Sequence, residues 1–290
     1  MTFNEGSDIS GGRTSRRGRT AGIALGGGGL GILAIFLIGQ LLGVDLTGLV
    51  GGGTPASPVQ ETSLDQCKTG QDANENLDCR MKGAAASLEE FWSNSLQGAT
   101  PTEVQLFTGA ADTGCGQASS AVGPFYCPRD QIIYLDTAFF DQLRTQFGSS
   151  GGPLAQLYVV GHEWGHHIQN ISGFMDNLNL QSTGPASDGV RLELQADCFA
   201  GAWIAGASTT LDANGTPFLK VPTDAEIRDA LSAAAAVGDD NIQSQTQGQV
   251  QPETWTHGSS AARQKWFLVG YQQGANQCDT FGASASSLEG

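Results

Sequence analysis

The sequence predicts an α+β protein, mainly helical with a small β-sheet, behind an N-terminal transmembrane helix. Three observations predict it. A charge-free apolar stretch, residues 21–44, follows a basic start. Four segments between residues 153 and 275 carry apolar side chains at helical spacing, and a β-rich run, Ile132, Ile133 and Tyr134, precedes them. At 290 residues the chain holds one domain of ordinary size plus an accessory segment, and 39% hydrophobic residues suffice for a packed core. The formal charge of −15 excludes nucleic acid as a partner, since nothing would neutralise its phosphates.

In chain order, residues 1–20 are polar and rich in Gly, Arg and Ser, which predicts a disordered N-terminus. Residues 21–44, centred on LGILAIFLIGQLLGV, match the roughly 20 residues that span a bilayer. Arg13, Arg16, Arg17 and Arg19 lie on the N-terminal flank. The positive-inside rule therefore keeps that end cytoplasmic and places the rest outside, as a single-pass protein of the cell membrane. A cleaved signal peptide is the alternative, but no small-x-small cleavage site follows Leu42, which favours an uncleaved anchor. Residues 45–62 are a Gly/Pro/Ser-rich flexible linker, residues 63–281 the folded domain, and residues 282–290 a flexible tail.

All six cysteines lie beyond the apolar segment, as expected of an exported domain with disulfides. The two closely spaced couples suggest Cys67–Cys79 and Cys115–Cys127, leaving Cys198–Cys278. No C-x-x-C spacing offers a cysteine metal site.

Within the domain, residues 81–96 have helical spacing, and residues 131–140 run from a strand into a short helix. Residues 153–172 form a long helix with Pro153 in its first turn. Residues 188–207 form a second with Asp188 as N-cap. Residues 222–238 form a third, with Thr223 and Glu226 spaced as a capping box, and residues 258–275 a fourth.

The first of these helices carries VVGHEWGHHIQN. His162 and His166 are four apart, so they share a helix face and both imidazoles can reach one ion. Glu163 is displaced enough to miss the metal and contact the water it activates, the H-E-x-x-H arrangement in which Glu is the general base. His167 points elsewhere and is structural. Gln169 and Ser172 stand where a third ligand on the same helix would need Gly and His. The next helix instead carries ELQAD, with Glu193 and Asp197 on one face in a mostly apolar setting where unpaired carboxylates would be costly. Glu193 completes the metal set. Asp197 accepts a hydrogen bond from the far nitrogen of a ligand histidine and fixes its tautomer.

H-E-x-x-H followed by E-x-x-x-D resembles the gluzincin arrangement. The stretches GVDLTGL, GPFYCPRDQIIYLD, GHEWGHHIQN, ELQADCFAGAW and HGSSAARQKWFLVGY resemble, in order, the neutral zinc metallopeptidase family of membrane-anchored bacterial proteins. That resemblance implies a zincin-like peptidase domain with Zn²⁺ as cofactor. His257 is the one histidine left to stabilise the oxyanion of peptide hydrolysis, Arg263 is a second candidate, and Tyr134 could line the cleft.

The reading is a zinc-dependent peptidase, exported and membrane-anchored, acting on a peptide or protein substrate. Its alternatives are a catalytically idle zinc-binding scaffold at the membrane and a zinc amidase acting on a cell-envelope peptide.

Overall fold

The computed structural model describes residues 2–17, 61–120 and 122–289. The expected transmembrane stretch, residues 21–44, and nearly all of the expected linker lie outside the described residues. Among the described residues, no helix is long and apolar enough to cross a membrane.

A mixed five-stranded sheet has the order β2-β1-β3-β7-β6. It is built from β1 (Thr14–Arg17), β2 (Glu61–Ser63), β3 (Glu103–Phe107), β6 (Phe125–Cys127) and β7 (Ile132–Asp136). β1, β3 and β7 run parallel, while the two edge strands, β2 and β6, are antiparallel to their neighbours. β4 (Ala110–Thr113) and β5 (Gly116–Ser119) form a separate hairpin, with Cys115 at its turn bonded to Cys127 at the end of β6.

Eight α-helices make up the rest of the regular structure among the described residues. α1 (Gly70–Glu75) and α2 (Leu77–Ser95) follow β2, and α3 (Phe139–Thr145) follows β7. α4 (Pro153–Ile171) and α5 (Asp188–Gly206) carry the motifs. α6 (Asp224–Ala236), α7 (Asp239–Gln247) and α8 (Ser260–Gln273) complete the set. α4 is buried along nearly its whole length, which explains its almost continuous apolar composition around the histidines. It packs on α5 and α6, and α5 in turn packs on α8.

Glycines permit these approaches. A Cβ at Gly165 would stand 2.9 Å from the Cα of Ala196, so α4 and α5 meet almost backbone to backbone beside the motifs. A Cβ at Gly270 of α8 would overlap the Cys198 carbonyl, and one at Gly201 of α5 would overlap that of Phe267. Trp164, Trp203, Tyr158, Met81 and Leu88 are fully buried in the main core.

Four boundary expectations are corrected. Residues 2–17 are not disordered: Phe3 and Ile9 are wholly buried in the main core, and β1 sits inside the sheet. The folded unit therefore begins well before residue 63, because the short N-terminal apolar residues have a core to enter that composition alone does not reveal. The expected flexible tail is docked as well. Leu288 is buried in the core at the end of a 3-10 helix (Ala285–Leu288), and Lys265 Nζ donates to the Ser287 carbonyl at 3.0 Å. Ser187, not Asp188, caps α5, its side chain accepting from the Val190 N–H, and Asp188 occupies the first helical position. The Thr223–Glu226 capping box is present. So are the disulfides Cys67–Cys79, Cys115–Cys127 and Cys198–Cys278.

Candidate metal centre

α4 and α5 bring His162, His166 and Glu193 together. One ligand atom from each lies within 4.8 Å of the others, and all three residues are buried. Glu193 Oε2 is 3.2 Å from His162 Nε2, and Oε1 is 3.5 Å from His166 Nε2. A tetrahedral zinc with bonds of about 2.0–2.2 Å needs ligand atoms about 3–4 Å apart, a range that both Glu193–histidine distances meet.

The rear nitrogens are already committed. His162 Nδ1 lies 2.8 Å from Asp197 Oδ1, and His166 Nδ1 lies 2.8 Å from Gln169 Oε1. Gln169 Nε2 donates to the Leu192 carbonyl and to Gln195 Oε1, which turns its oxygen toward His166. Asp197 and Gln169 thus each hold the Nδ1 edge of a ligand imidazole and leave its Nε2 edge turned toward Glu193 and the shared point.

Asp197 is wholly buried and has three partners. Tyr158 Oη donates to Oδ1 at 2.5 Å, and Arg263 donates to both oxygens, Nε at 2.8 Å and Nη2 at 3.0 Å. Arg263 is thus paired with Asp197, and it also lines the cleft, with Nη2 3.5 Å from His162 Nε2 and 3.8 Å from Glu193 Oε2. Its Nη1 donates to the Val237 carbonyl as well.

His257 lines the same cleft from the loop before α8. Asp239, the first residue of α7, accepts from the backbone N–H groups of Thr256, His257 and Gly258 at 2.7, 2.6 and 3.0 Å, and faces His257 Nδ1 at 3.1 Å. Tyr134 does not line the cleft. It is buried in a smaller cluster, stacked on Phe125, with its hydroxyl donating to Asp130 Oδ2 at 2.8 Å. Phe125 and Tyr126 of the edge strand line the cleft instead. His167 holds that strand: Nε2 is 2.8 Å from the Thr100 carbonyl and Nδ1 is 3.1 Å from Tyr126 Oη, which also accepts from Asn170 Nδ2 at 2.9 Å.

Charge is distributed to suit. Burial would depress His162, but Asp197 and Glu193 outweigh it and raise the imidazole to about 9. Burial, only partly offset by Glu193, pulls His166 down to about 4. Burial would raise Glu193, yet His166, His162 and His257 hold it well below the usual carboxylate range. Glu163 is the exception among the carboxylates. Burial pushes it up to about 7, against His162's charge and the Tyr126 backbone N–H. His257 is raised because Asp239 overcomes its burial.

The cleft holds about 870 Å³, counting space open at its mouth. Phe125, Tyr126, Phe139, Phe147, Val159 and Ile242 give it apolar walls, and the polar groups converge at its floor. Sequence reasoning missed Tyr158, Gln169 and Asp239. The first two had a signal: Tyr158 is four residues before His162 and Gln169 three after His166, so both share the ligand face. Asp239 had none, being tied to His257 only by tertiary contact.

The buried His162, His166 and Glu193 on two crossing helices, with Glu163 beside them in an apolar cleft, form a group that could hold a metal ion. The profile of the family described as "Putative neutral zinc metallopeptidase" matches residues 3–281, and the chain belongs to that family. It is 52% identical over 250 residues to an uncharacterized protein of Mycobacterium tuberculosis (strain ATCC 25618 / H37Rv), covering 84% of this chain and 85% of that one. An uncharacterized protein of Mycobacterium bovis shows the same identity and coverage. The uncharacterized protein YpfJ of Escherichia coli strain K12 is 36% identical over 289 residues, covering 93% of this chain and 95% of its own. No solved structure matches.

Proposed function

We propose that the protein is a zinc-dependent peptidase in which Glu163 is the general base. One observation carries this reading: Glu163 lines the cleft beside the ligand cluster without belonging to it, as a buried carboxyl held near neutrality. A site that only stores metal has no use for such a group, whereas a base with pKa near the working pH transfers protons best. Zinc bound by His162, His166 and Glu193 supplies Lewis acidity, polarising a carbonyl and lowering the pKa of water to about 7.

Glu163 takes a proton from the attacking water and returns it to the leaving amine. His257, whose Nδ1 is held by Asp239 Oδ1 at 3.1 Å, offers its Nε2 edge to the developing oxyanion. The edge strand β6 ends the sheet at the cleft, which suits strand addition by an extended peptide. The apolar walls favour a substrate with bulky apolar side chains next to the cleaved bond. Three disulfides support an oxidising, extracytoplasmic compartment for the domain.

The test is cleavage of a broad peptide library by the zinc-loaded full chain beside Glu163→Gln. Zinc content and thermal stability should survive the substitution while hydrolysis falls by about 10²–10⁴-fold. His257→Ala should lower turnover by about 10²–10³-fold with zinc content unchanged. Undiminished hydrolysis by Glu163→Gln sinks the mechanism. A wild-type chain that binds zinc and cleaves nothing points to the scaffold reading, and one that opens only cell-wall peptide cross-links points to the amidase.

A further inference from the structure

Beside the ligand face of α4 runs a second row of polar side chains. Glu163, His167 and Asn170 stand four and three residues apart, so they share one helix face, a step around from His162 and His166. All three converge on Tyr126, the middle residue of the edge strand β6. Its backbone N–H donates to the Glu163 carboxylate. Its hydroxyl meets His167 Nδ1 at 3.1 Å and accepts from Asn170 Nδ2 at 2.9 Å.

The strand pairing leaves that N–H free to turn this way. Phe125 and Cys127 stand opposite Tyr134 and Ile132 of β7, and in an antiparallel pair alternate residues point their N–H groups away from the partner. An outward N–H on a buried edge residue needs an acceptor, and Glu163 supplies it.

The hydroxyl end is fixed just as firmly. The Thr100 carbonyl, 2.8 Å from His167 Nε2, can only accept, so Nε2 carries the hydrogen. Burial lowers the pKa of this imidazole and keeps it neutral, which leaves Nδ1 to accept from the Tyr126 O–H. Each donor then has one acceptor: Asn170 gives to Tyr126, Tyr126 to His167, and His167 to Thr100. Both rings are buried, with centroids 5.4 Å apart in an edge-on contact. His167 belongs to no part of the ligand set, so metal binding does not account for its placement.

We propose that His167 and Tyr126 are positioning residues for the Glu163 carboxyl: they clamp β6 against α4, so that the Tyr126 N–H holds that carboxyl beside the metal ligands. The catalytic consequence rests on the peptidase reading, in which Glu163 is the base; the clamp itself does not. A carboxyl that takes a proton from one atom and returns it to another gains from a single orientation. Misplacement by about 1 Å costs about 10²-fold in rate.

Two substitutions at one position separate the clamp from packing. His167→Gln can reach the Thr100 carbonyl but gives up Tyr126, whereas His167→Asn keeps an acceptor near the Nδ1 position and gives up Thr100. These variants and Tyr126→Phe are compared with wild type as zinc-loaded full chains, by hydrogen exchange resolved to the Tyr126 amide and by steady-state cleavage of a library peptide. Tyr126→Phe carries the comparison alone if the His167 variants do not fold. In His167→Gln and Tyr126→Phe the Tyr126 amide should exchange about tenfold faster. Their kcat should be about 10–100-fold lower, with KM and zinc content unchanged. His167→Asn should recover most of both. Wild-type exchange at Tyr126 in His167→Gln and Tyr126→Phe overturns the proposal, as does faster exchange with kcat unchanged. Equal losses of kcat in His167→Gln and His167→Asn, in step with the thermal midpoint, mark a packing role and also overturn it. A wild-type chain that cleaves no peptide defeats the peptidase reading separately. The exchange rates then decide the clamp: acceleration in His167→Gln and Tyr126→Phe, reversed in His167→Asn, upholds it, and any other pattern overturns it.

Discussion

At the residue scale, Asp197 and Gln169 do the same job for the two ligand histidines at very different risk to the fold. Asp197→Ala removes the partner of His162 and also leaves Arg263, itself 2% exposed, as a buried cation without its carboxylate. Breaking such a pair costs about 3–5 kcal/mol, so this variant should lose thermal stability as well as zinc, and cannot isolate the metal effect. Gln169→Leu keeps the volume and leaves the Leu192 carbonyl and Gln195 Oε1 without a donor, an uncharged loss of about 1–3 kcal/mol rather than a stranded buried cation. It should weaken zinc binding by about 10–100-fold in a chelator competition, with the circular-dichroism spectrum unchanged. Undiminished affinity would show that His166 needs no orienting partner. Proton linkage gives a second expectation. In the metal-free protein the pKa of His162 is raised to about 9, above its unfolded value of about 6.5. The stabilisation from its protonated form is therefore complete below about pH 6.5 and is lost as pH rises through 9. Zinc must displace that proton, whereas His166 and Glu193 are already unprotonated near neutrality. Zinc affinity should strengthen by about tenfold per pH unit from 6.5 toward 9, measured by competition at fixed ionic strength. A flat profile across that range would mean that Asp197 does not hold a charged His162.

At the element scale, the ligand set depends on how closely α4 and α5 approach, and Gly165 and Ala196 set that distance. The two helices and their motifs were legible because spacing alone places His162 with His166, and Glu193 with Asp197, on single faces. Their convergence was not written in either helix by itself. It follows from the small residues at the crossing, whose role appears only when the two helices are set side by side. The same limit hid Asp239, which reaches His257 across 18 residues of chain, and misplaced Tyr134, whose strand was recognised but whose facing side was not. Gly165→Ala puts a methyl group where the neighbouring backbone already stands at 2.9 Å, so the helices must part by a few tenths of an ångström or more. Alanine favours an isolated helix over glycine by about 1 kcal/mol, so any loss here comes from the crossing and not from helix propensity. The expected outcome is weaker zinc binding with α-helical content kept. Equal affinity in the variant would mean that the ligands tolerate a wider crossing.

At the scale of the whole molecule, both the first and the last described segments are fastened into the fold. The N-terminal residues complete the sheet, and the C-terminal turn is bonded through Cys278 to Cys198, the residue after Asp197. Composition hid the first of these, since a Gly/Arg/Ser-rich start looks disordered unless the core that receives Phe3 and Ile9 is known. Cysteine spacing revealed the second, because two short loops left a single long one. The long loop should matter most. Chain entropy assigns about 4–5 kcal/mol to a bridge across 80 residues, against about 3 kcal/mol for one across 12. Cys198→Ala with Cys278→Ala should therefore lower the thermal midpoint by about 10 °C or more, and by more than removal of the Cys67–Cys79 or Cys115–Cys127 pair. It also frees the α5–α8 contact, where the Gly270 backbone meets the Cys198 carbonyl and where Arg263 reaches back to Asp197. Zinc affinity should fall in the same variant and stay unchanged when the Cys115–Cys127 bridge is removed instead. Calorimetry and zinc competition on the three double variants decide it: equal losses of stability, or a zinc effect that does not single out Cys198–Cys278, would detach this disulfide from the metal centre.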